Sequence, residues 1–279
     1  MKARRGRLND WPVVGALAQG ARRTFPRLWR WEDHLADDVF VVVERGEFLV
    51  GVLCAWPDDS PVAWVQLAAL ADTVDVGEWL DRALPRVLDG LRRRGARELA
   101  WMDYRGWAGL HLGARGFDLL TEVVTLAKLD RSLPDVGVAG ACLRPASEAD
   151  IPEIVAIDRA AFTPHWWHSE ATIRRRSASS SYFGVAESAG RVVGYAEGEL
   201  HLSKAHLNRV AVHPEHQGRG IGTSLLCDAL RALWHGGAER VMLNTQSDNY
   251  GSQRLYRRLG FEMARGFAQE RVTVWDLRL

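Results

Sequence analysis

The chain of 279 residues has almost no net charge: 36 lysines and arginines are matched by 35 aspartates and glutamates. Nothing one-sided is left to gather nucleic acid or anionic lipid, so a small, weakly charged substrate is the fitting partner. Long apolar runs are also missing. No uncharged apolar stretch approaches the ~20 residues a spanning helix needs, and no membrane partner is expected. Cysteine is scarce. Cys54, Cys142 and Cys227 lie far apart, without metal-ligand spacing and among apolar neighbours, so they read as reduced core thiols and no metal is expected. The basic stretch Lys2, Arg4, Arg5, Arg7 is followed by no apolar signal core, reads as a ragged solvated terminus and supports a cytoplasmic location.

The length suits two domains, each large enough to bury its own core. Asp130 to Cys142 mixes Pro, Gly and small residues as a linker does. The expected division is 1–133, a linker at 134–142, and 143–279. The halves run in parallel: LRRRGARELAWMDYRGWAGLHLGARGF, ending at Phe117, matches LWHGGAERVMLNTQSDNYGSQRLYRRLGF, ending at Phe261, an offset of 144 positions. Each half also carries two apolar strands around a Gly-containing turn, DVFVVVERGEFLVGVLCAW and SYFGVAESAGRVVGYAEGE.

In the second half, Ser147 with Asp150 resembles a helix N-cap ahead of Ile151, Ile154, Val155 and Ile157 at helical spacing. Strands are expected at Tyr182 to Glu187, Arg191 to Glu199 and Ala205 to Val212. Ile221, Leu225, Leu226, Ala229, Leu230 and Leu233 mark a helix closed by Gly236 and Gly237. A strand at Arg240 to Asn244, a short helix at Ser252 to Leu259 and one or two strands over Phe261 to Leu279 complete the pattern. The class is α/β, built of mixed (α+β) sheets.

Between the third strand and the long helix lies Val210-Ala211-Val212-His213-Pro214-Glu215-His216-Gln217-Gly218-Arg219-Gly220-Ile221-Gly222-Thr223. Glycines let successive N–H groups turn into one concavity, and the helix opening there adds its positive dipole end, which suits a pyrophosphate. The spacing meets neither the dinucleotide fingerprint nor the phosphate loop of nucleotide triphosphatases.

This stretch resembles the GNAT N-acetyltransferase superfamily, whose Q/R-x-x-G-x-G/A signature is met by Gln217, Gly220 and Gly222. Downstream, Asn249-Tyr250-Gly251-Ser252-Gln253-Arg254-Leu255-Tyr256-Arg257-Arg258-Leu259-Gly260-Phe261 is similar to the family's N-x-x-(A/S)-x-x-L-Y-x-x-x-G-F ending, with one residue of play. The resemblance covers roughly Leu143 to Leu279, and the first half only in layout. It implies two GNAT-like domains in tandem, each a twisted mixed sheet flanked by helices, with acetyl-CoA or another short acyl-CoA as co-substrate. It further implies that Val210 and Val212 offer main chain to pantetheine, that Gln217, Gly218, Arg219, Gly220, Gly222 and Thr223 surround the pyrophosphate, and that Asn249 adds a polar contact. The acceptor would be a small amine or a peptide N-terminus; a homodimer is left open.

Acyl transfer to an amine needs the amine neutral, the oxyanion stabilised and the departing thiolate protonated. Tyr256 stands where relatives carry the phenol that protonates the thiolate. For the base, several relatives use a Glu on the strand after the cofactor helix, where this chain has Asn244. AHLNRVAVH resembles the strand of arylalkylamine N-acetyltransferases, which makes His206 the candidate, with Glu197 and Glu199 in reserve. Strict alternation puts 206, 208, 210 and 212 on one face. Phe162-Thr163-Pro164-His165-Trp166-Trp167-His168 follows the first helix, where relatives cover the acceptor site. At the offset of 144 every chemical position of the first half is replaced: Leu112 for Tyr256, Thr73 for Gln217, Val76 for Gly220, Glu78 for Gly222 and Arg105 for Asn249. That half reads as a degenerate domain without a cofactor loop. The alternative to an N-acetyltransferase is an acyl-CoA-binding sensor without turnover.

Overall fold

The computed structural model describes residues 1–26, 31–57, 60–134, 140–264 and 271–279. The core of the expected linker, 135–139, lies outside them. The chain forms two compact units, residues 1–121 with 272–279, and residues 122–271. The elements in chain order are β1 (Lys2–Arg5), α1 (Trp11–Gly20), β2 (Arg23–Pro26), β3 (Phe40–Arg45), β4 (Phe48–Pro57), β5 (Val62–Leu70), α2 (Val76–Arg93), β6 (Glu98–Asp103), α3 (Gly109–Leu112) and β7 (Asp118–Lys128). After them come β8 (Cys142–Pro145), α4 (Ile151–Ala161), α5 (Glu170–Ser179), β9 (Tyr182–Ser188), β10 (Arg191–His201), β11 (Lys204–Val212), α6 (Ile221–His235), β12 (Arg240–Gln246), α7 (Tyr250–Arg258), β13 (Glu262–Met263) and β14 (Arg271–Arg278).

The first unit's sheet runs β1-β3-β4-β5-β6-β14, antiparallel except for β5 beside β6, whose parallel pairing requires the crossover that α2 supplies. The second unit's sheet runs β8-β9-β10-β11-β12-β7, and α6 is the crossover between parallel β11 and β12. The strand expected to close the second half, β14, pairs with β6 from Thr273↔Asp103 to Arg278↔Glu98. In the second unit the place beside β12 belongs to β7, from Val241↔Lys128 to Gln246↔Val123. The compact units therefore divide the chain otherwise than a single cut at 134–142. Alternation marks a strand but not its sheet, because pairing is a long-range property.

The duplication is visible in side chains as well as in strand order. Arg4 on β1 donates to both carboxylate oxygens of Asp10 and to Glu44 on β3, and Arg144 on β8 does the same to Asp150 and Glu187 on β9. Both acids close a capping box ahead of a helix with Pro in its first turn. The basic N-terminal stretch is thus a strand, with Ala3 buried and Arg4 held by two carboxylates, and not a solvated tail. Of the three free cysteines, Cys54 and Cys227 are buried as expected, whereas Cys142 is exposed because β8 is an edge strand. Helix α5 had no sequence forecast: among its ten residues only Thr172 and Ile173 are buried, too few to give a period.

In the second unit the core has two layers. On one face Ile151, Ile154 and Ile157 of α4 and Ile173 of α5 pack with Val185, Tyr195 and Ala211. On the other, Ile221 and Leu225 of α6 pack with Val193, Ala196 and Val212. No described helix is long and apolar enough to cross a membrane.

Candidate active site

The site begins where β11 leaves β12. Their parallel register runs from Lys204↔Arg240 to Leu207↔Leu243 and stops, while β11 continues to Val212 beside β10. Along Asn208–Val212 the β12-side edge therefore has no strand partner among the described residues. Asn208 itself is the extra residue of a bulge, since Gly198 pairs with Leu207 and Glu197 with Arg209. An open edge of this length can accept an extended ligand as an added strand.

Eight residues, 213–220, lead from this edge into α6. Gly218 and Gly220 have φ of +75° and +82°, a region that only glycine enters readily. Gly220 is the N-cap of α6, and no side chain caps that helix end, so the first-turn amides and the dipole face outward. Gln217 folds back and donates through Nε2 to the Val212 carbonyl at 2.9 Å, bracing the turn. Arg219 is exposed and donates to the Glu215 carbonyl. A Cβ at Gly222 would lie 3.6 Å from Val212 Cγ2 and 3.7 Å from Leu255 Cδ2, so loop, open strand and α7 converge here. Uncapped amides, left-handed glycines and an open strand edge fit the pyrophosphate and pantetheine of a CoA thioester.

Asn249 is the N-cap of α7, and its Oδ1 accepts from the Ser252 amide at 3.1 Å. Only its Nδ2 is left for a ligand. Tyr256 packs with Val210 against the core under α6, and its ring lies 6.0 Å from Phe261, edge to face. Burial raises the pKa of the phenol, partly countered by a hydrogen bond with Ser252, so the group stays protonated across the neutral range.

His206 departs from the alternation argument. Val210 and Val212 pack on the α6 face, whereas Arg209 and Ala211 face α4. Before the bulge, Ala205 and Leu207 are the residues on the α6 face. The extra residue, Asn208, resets the period by one, so His206 lies on the face opposite the two valines. There His206 Nδ1 meets Asn208 Oδ1 at 2.8 Å, and Asn208 Nδ2 donates to Glu197 Oε1 at 3.0 Å. The same oxygen accepts from Arg176 at 2.8 Å and Ser180 at 3.1 Å, and Glu197 is 1% exposed. With that oxygen holding three donors and the residue buried, Glu197 is poorly placed to collect a further proton. Asn244 is bound by the Thr125 hydroxyl at 2.9 Å.

Sequence reasoning missed the anchor of the Phe162–His168 loop. Asp158, fully buried on α4, accepts from Arg209 Nε and NH2 at 2.8 and 2.6 Å and from the Tyr195 hydroxyl at 2.5 Å. It also accepts from the His168 amide, while Arg209 donates to the Trp166 carbonyl and lies 3.6 Å over the Phe162 ring. A buried charge needs such a partner. The signal was available: Asp158 falls four residues after Ile154, on the apolar face of α4, and Arg209 interrupts an apolar strand.

Residues 151–261 match the Acetyltransferase (GNAT) family. This match lies wholly within the second unit. Two solved structures share the fold over nearly the whole chain. The GCN5-related N-acetyltransferase from Sphaerobacter thermophilus has a TM-score of 0.67 and 19% identity, covering 99% of this chain and 95% of that one. A tandem GNAT protein from the clavulanic acid biosynthesis pathway has a TM-score of 0.63 and 18% identity, covering 97% and 94%. By sequence the chain is similar to mycothiol acetyltransferases. That of Pseudarthrobacter chlorophenolicus is 29% identical over 244 residues, 77% of this chain and 72% of the relative. That of Mycobacterium sp. (strain MCS) is 29% identical over 171 residues, so the match spans about half of each protein, 53% and 55%.

Proposed function

We propose that the second unit moves an acetyl group from acetyl-CoA directly to a primary amine through a tetrahedral intermediate. What carries this reading is the open edge of Asn208–Val212 running into an uncapped helix end at Gly220. Pantetheine lies along the edge as an added strand, and the pyrophosphate takes the amides of residues 217–223, with Arg219 on that loop and the Asn249 Nδ2 at the start of α7 as further polar groups. Tyr256 is the acid that protonates the departing thiolate; its raised pKa keeps the proton available at every working pH. His206 takes the ammonium proton, directly or through water. Glu199, its cross-strand neighbour, is the reserve, whereas Glu197 is held by Arg176, Ser180 and Asn208.

The first unit lacks these openings, which supports a single cofactor site. Its β5 pairs with β6 only over Val62–Trp64, yet the free edge beyond is filled by the chain's own β2, with Arg23↔Leu70 through Pro26↔Leu67. Helix α2 begins at Val76, so the N-cap opposite Gly220 is Asp75 and not the Val76 given by the constant offset; the connecting loop has five residues, 71–75, where the second unit has eight. The Asp75 carboxylate accepts from the Glu78 amide at 2.8 Å. That carboxylate occupies the helix end a phosphate would need.

Because the similar relatives are mycothiol acetyltransferases, the unacetylated amine form of mycothiol heads the acceptor panel. The test incubates purified protein with acetyl-CoA and a panel of amines and reads the CoA thiol released, separated by chromatography from any thiol the acceptor itself carries. Acceptor-dependent thiol release is expected. CoA binding without release on any amine would instead favour an acyl-CoA sensor.

A further inference from the structure

The bulge beside the open strand edge carries a side chain whose placement the proposed base reaction requires. Asn208 belongs to neither register segment of the β10–β11 pair, and its amide spans His206 and the buried Glu197. The oxygen and nitrogen ends of an amide are nearly identical in shape, so its orientation is decided by its partners. Glu197 accepts from the Arg176 guanidinium, the Ser180 hydroxyl and Asn208 through one oxygen. Paired with a cation in this way it is a carboxylate and only accepts. Asn208 must therefore turn its NH2 to Glu197 and its carbonyl to His206. A carbonyl only accepts, so the imidazole nitrogen at 2.8 Å, Nδ1, must carry the hydrogen. In the neutral ring the lone pair is then on Nε2.

From this chain of forced choices we infer that Asn208 is a positioning residue: with Glu197 behind it, it holds His206 in the Nδ1–H tautomer and leaves Nε2 as the proton acceptor. This role rests on His206 being the base. When Nε2 takes a proton from the substrate ammonium, the imidazolium keeps its Nδ1–H bonded to Asn208, and the amine lone pair freed by that transfer attacks the thioester carbonyl. The positive charge faces Glu199 directly across β10 and Glu197 behind Asn208, with Arg176 beyond Glu197; β12 offers uncharged Met242 at the same level.

The test reads the tautomer directly, by long-range 1H–15N NMR of the histidine rings, assigned with His206→Gln. At a pH where the ring is neutral, wild-type His206 is expected as Nδ1–H. In Asn208→Leu, which fills similar space without the amide, the ring should exchange between tautomers, and kcat should fall about ten- to a hundredfold with the KM for acetyl-CoA unchanged, within the range a positioned base supplies. Asn208→Asp combined with Glu197→Gln, which still accepts from Nδ1–H and regains a donor between residues 197 and 208, should restore most of the rate and move the acidic limb of the pH profile upward, because a carboxylate stabilises the imidazolium. An Nε2–H tautomer in the wild type, or an unchanged tautomer in Asn208→Leu, overturns the assignment of Asn208. The expected tautomer together with full turnover in His206→Gln overturns the base on which it rests. Thermal unfolding of each variant separates loss of fold from loss of positioning.

Discussion

The two units are built on one plan and treat the same opening in opposite ways. In both, a parallel pair separates after three or four residues, a strand edge is left free, and a helix starts beside it. The first unit fills every position from within: β2 takes the edge, Asp75 caps α2, and Asp103 accepts from the Ala108 and Gly109 amides at the start of α3. Phe25 stacks on Tyr104 at 5.0 Å, and Arg23 donates to the Val74 carbonyl, so β2 is fastened at both ends. In the second unit the corresponding edge has no strand partner among the described residues and the helix end has no side-chain cap. Its counterpart to β2 is the Phe162–His168 loop, drawn instead to Asp158 by Arg209. A binding site of this kind consists of backbone groups held unsatisfied in place; losing it takes only a chain segment and an acid that satisfy them.

The contrast between the units fails most severely if cofactor binding does not follow the open helix end. Gly220→Glu should abolish CoA binding by calorimetry, whereas Asp75→Asn should leave the affinity of the whole chain unchanged; loss of binding in the second variant would place a ligand in the first unit. Next in size, Tyr256→Phe should cut kcat about a hundredfold while acetyl-CoA affinity stays within about twofold, because the ring still packs and only the proton donor is gone. Unchanged turnover would reduce Tyr256 to a core aromatic.

Opening the filled edge tests the other side. Phe25 is 6% exposed, so Phe25→Ala should destabilise the protein by about 3 kcal/mol in denaturant unfolding. It should not create a second CoA site, because Asp75 still caps α2. A CoA site gained in this variant would mean that β2 alone excludes the cofactor.

The smallest effect concerns what the units share. Arg4 and Arg144 each hold a capping carboxylate, Asp10 or Asp150, below its ordinary pKa, chiefly by direct hydrogen bonding. A depressed folded-state pKa stabilises above the unfolded value near 4 and loses that contribution as pH falls through the folded value. Arg4→Met and Arg144→Met should therefore cost about 1–2 kcal/mol at pH 7, and the gap to wild type should narrow as pH drops from 4 to 2. A gap that widens in acid would contradict the linkage.

Much of the second unit was legible because local chemistry decides it. The Ser147/Asp150 capping box, the α6 stripe from Ile221 to Leu233 and the Gly218–Gly220 turn each carry their cause within a few residues. Three features were not legible. The destination of β14 depends on which sheet has an unfilled edge. The bulge at Asn208 is a slip of one residue that leaves composition untouched but turns His206 away from the face of Val210 and Val212. The filling of the first unit's edge by β2 hides in four residues, Arg23–Pro26, too short to stand out as a strand. Replacement of the loop glycines pointed to a first half without the cofactor loop, but not to what took its place.

The central claim, one open and one self-filled site in a single chain, is tested most directly by the stoichiometry of CoA binding to the unmodified protein in isothermal titration calorimetry. One CoA per chain is expected, with that single site lost in Gly220→Glu. Two CoA per chain, or one that survives Gly220→Glu, would contradict it.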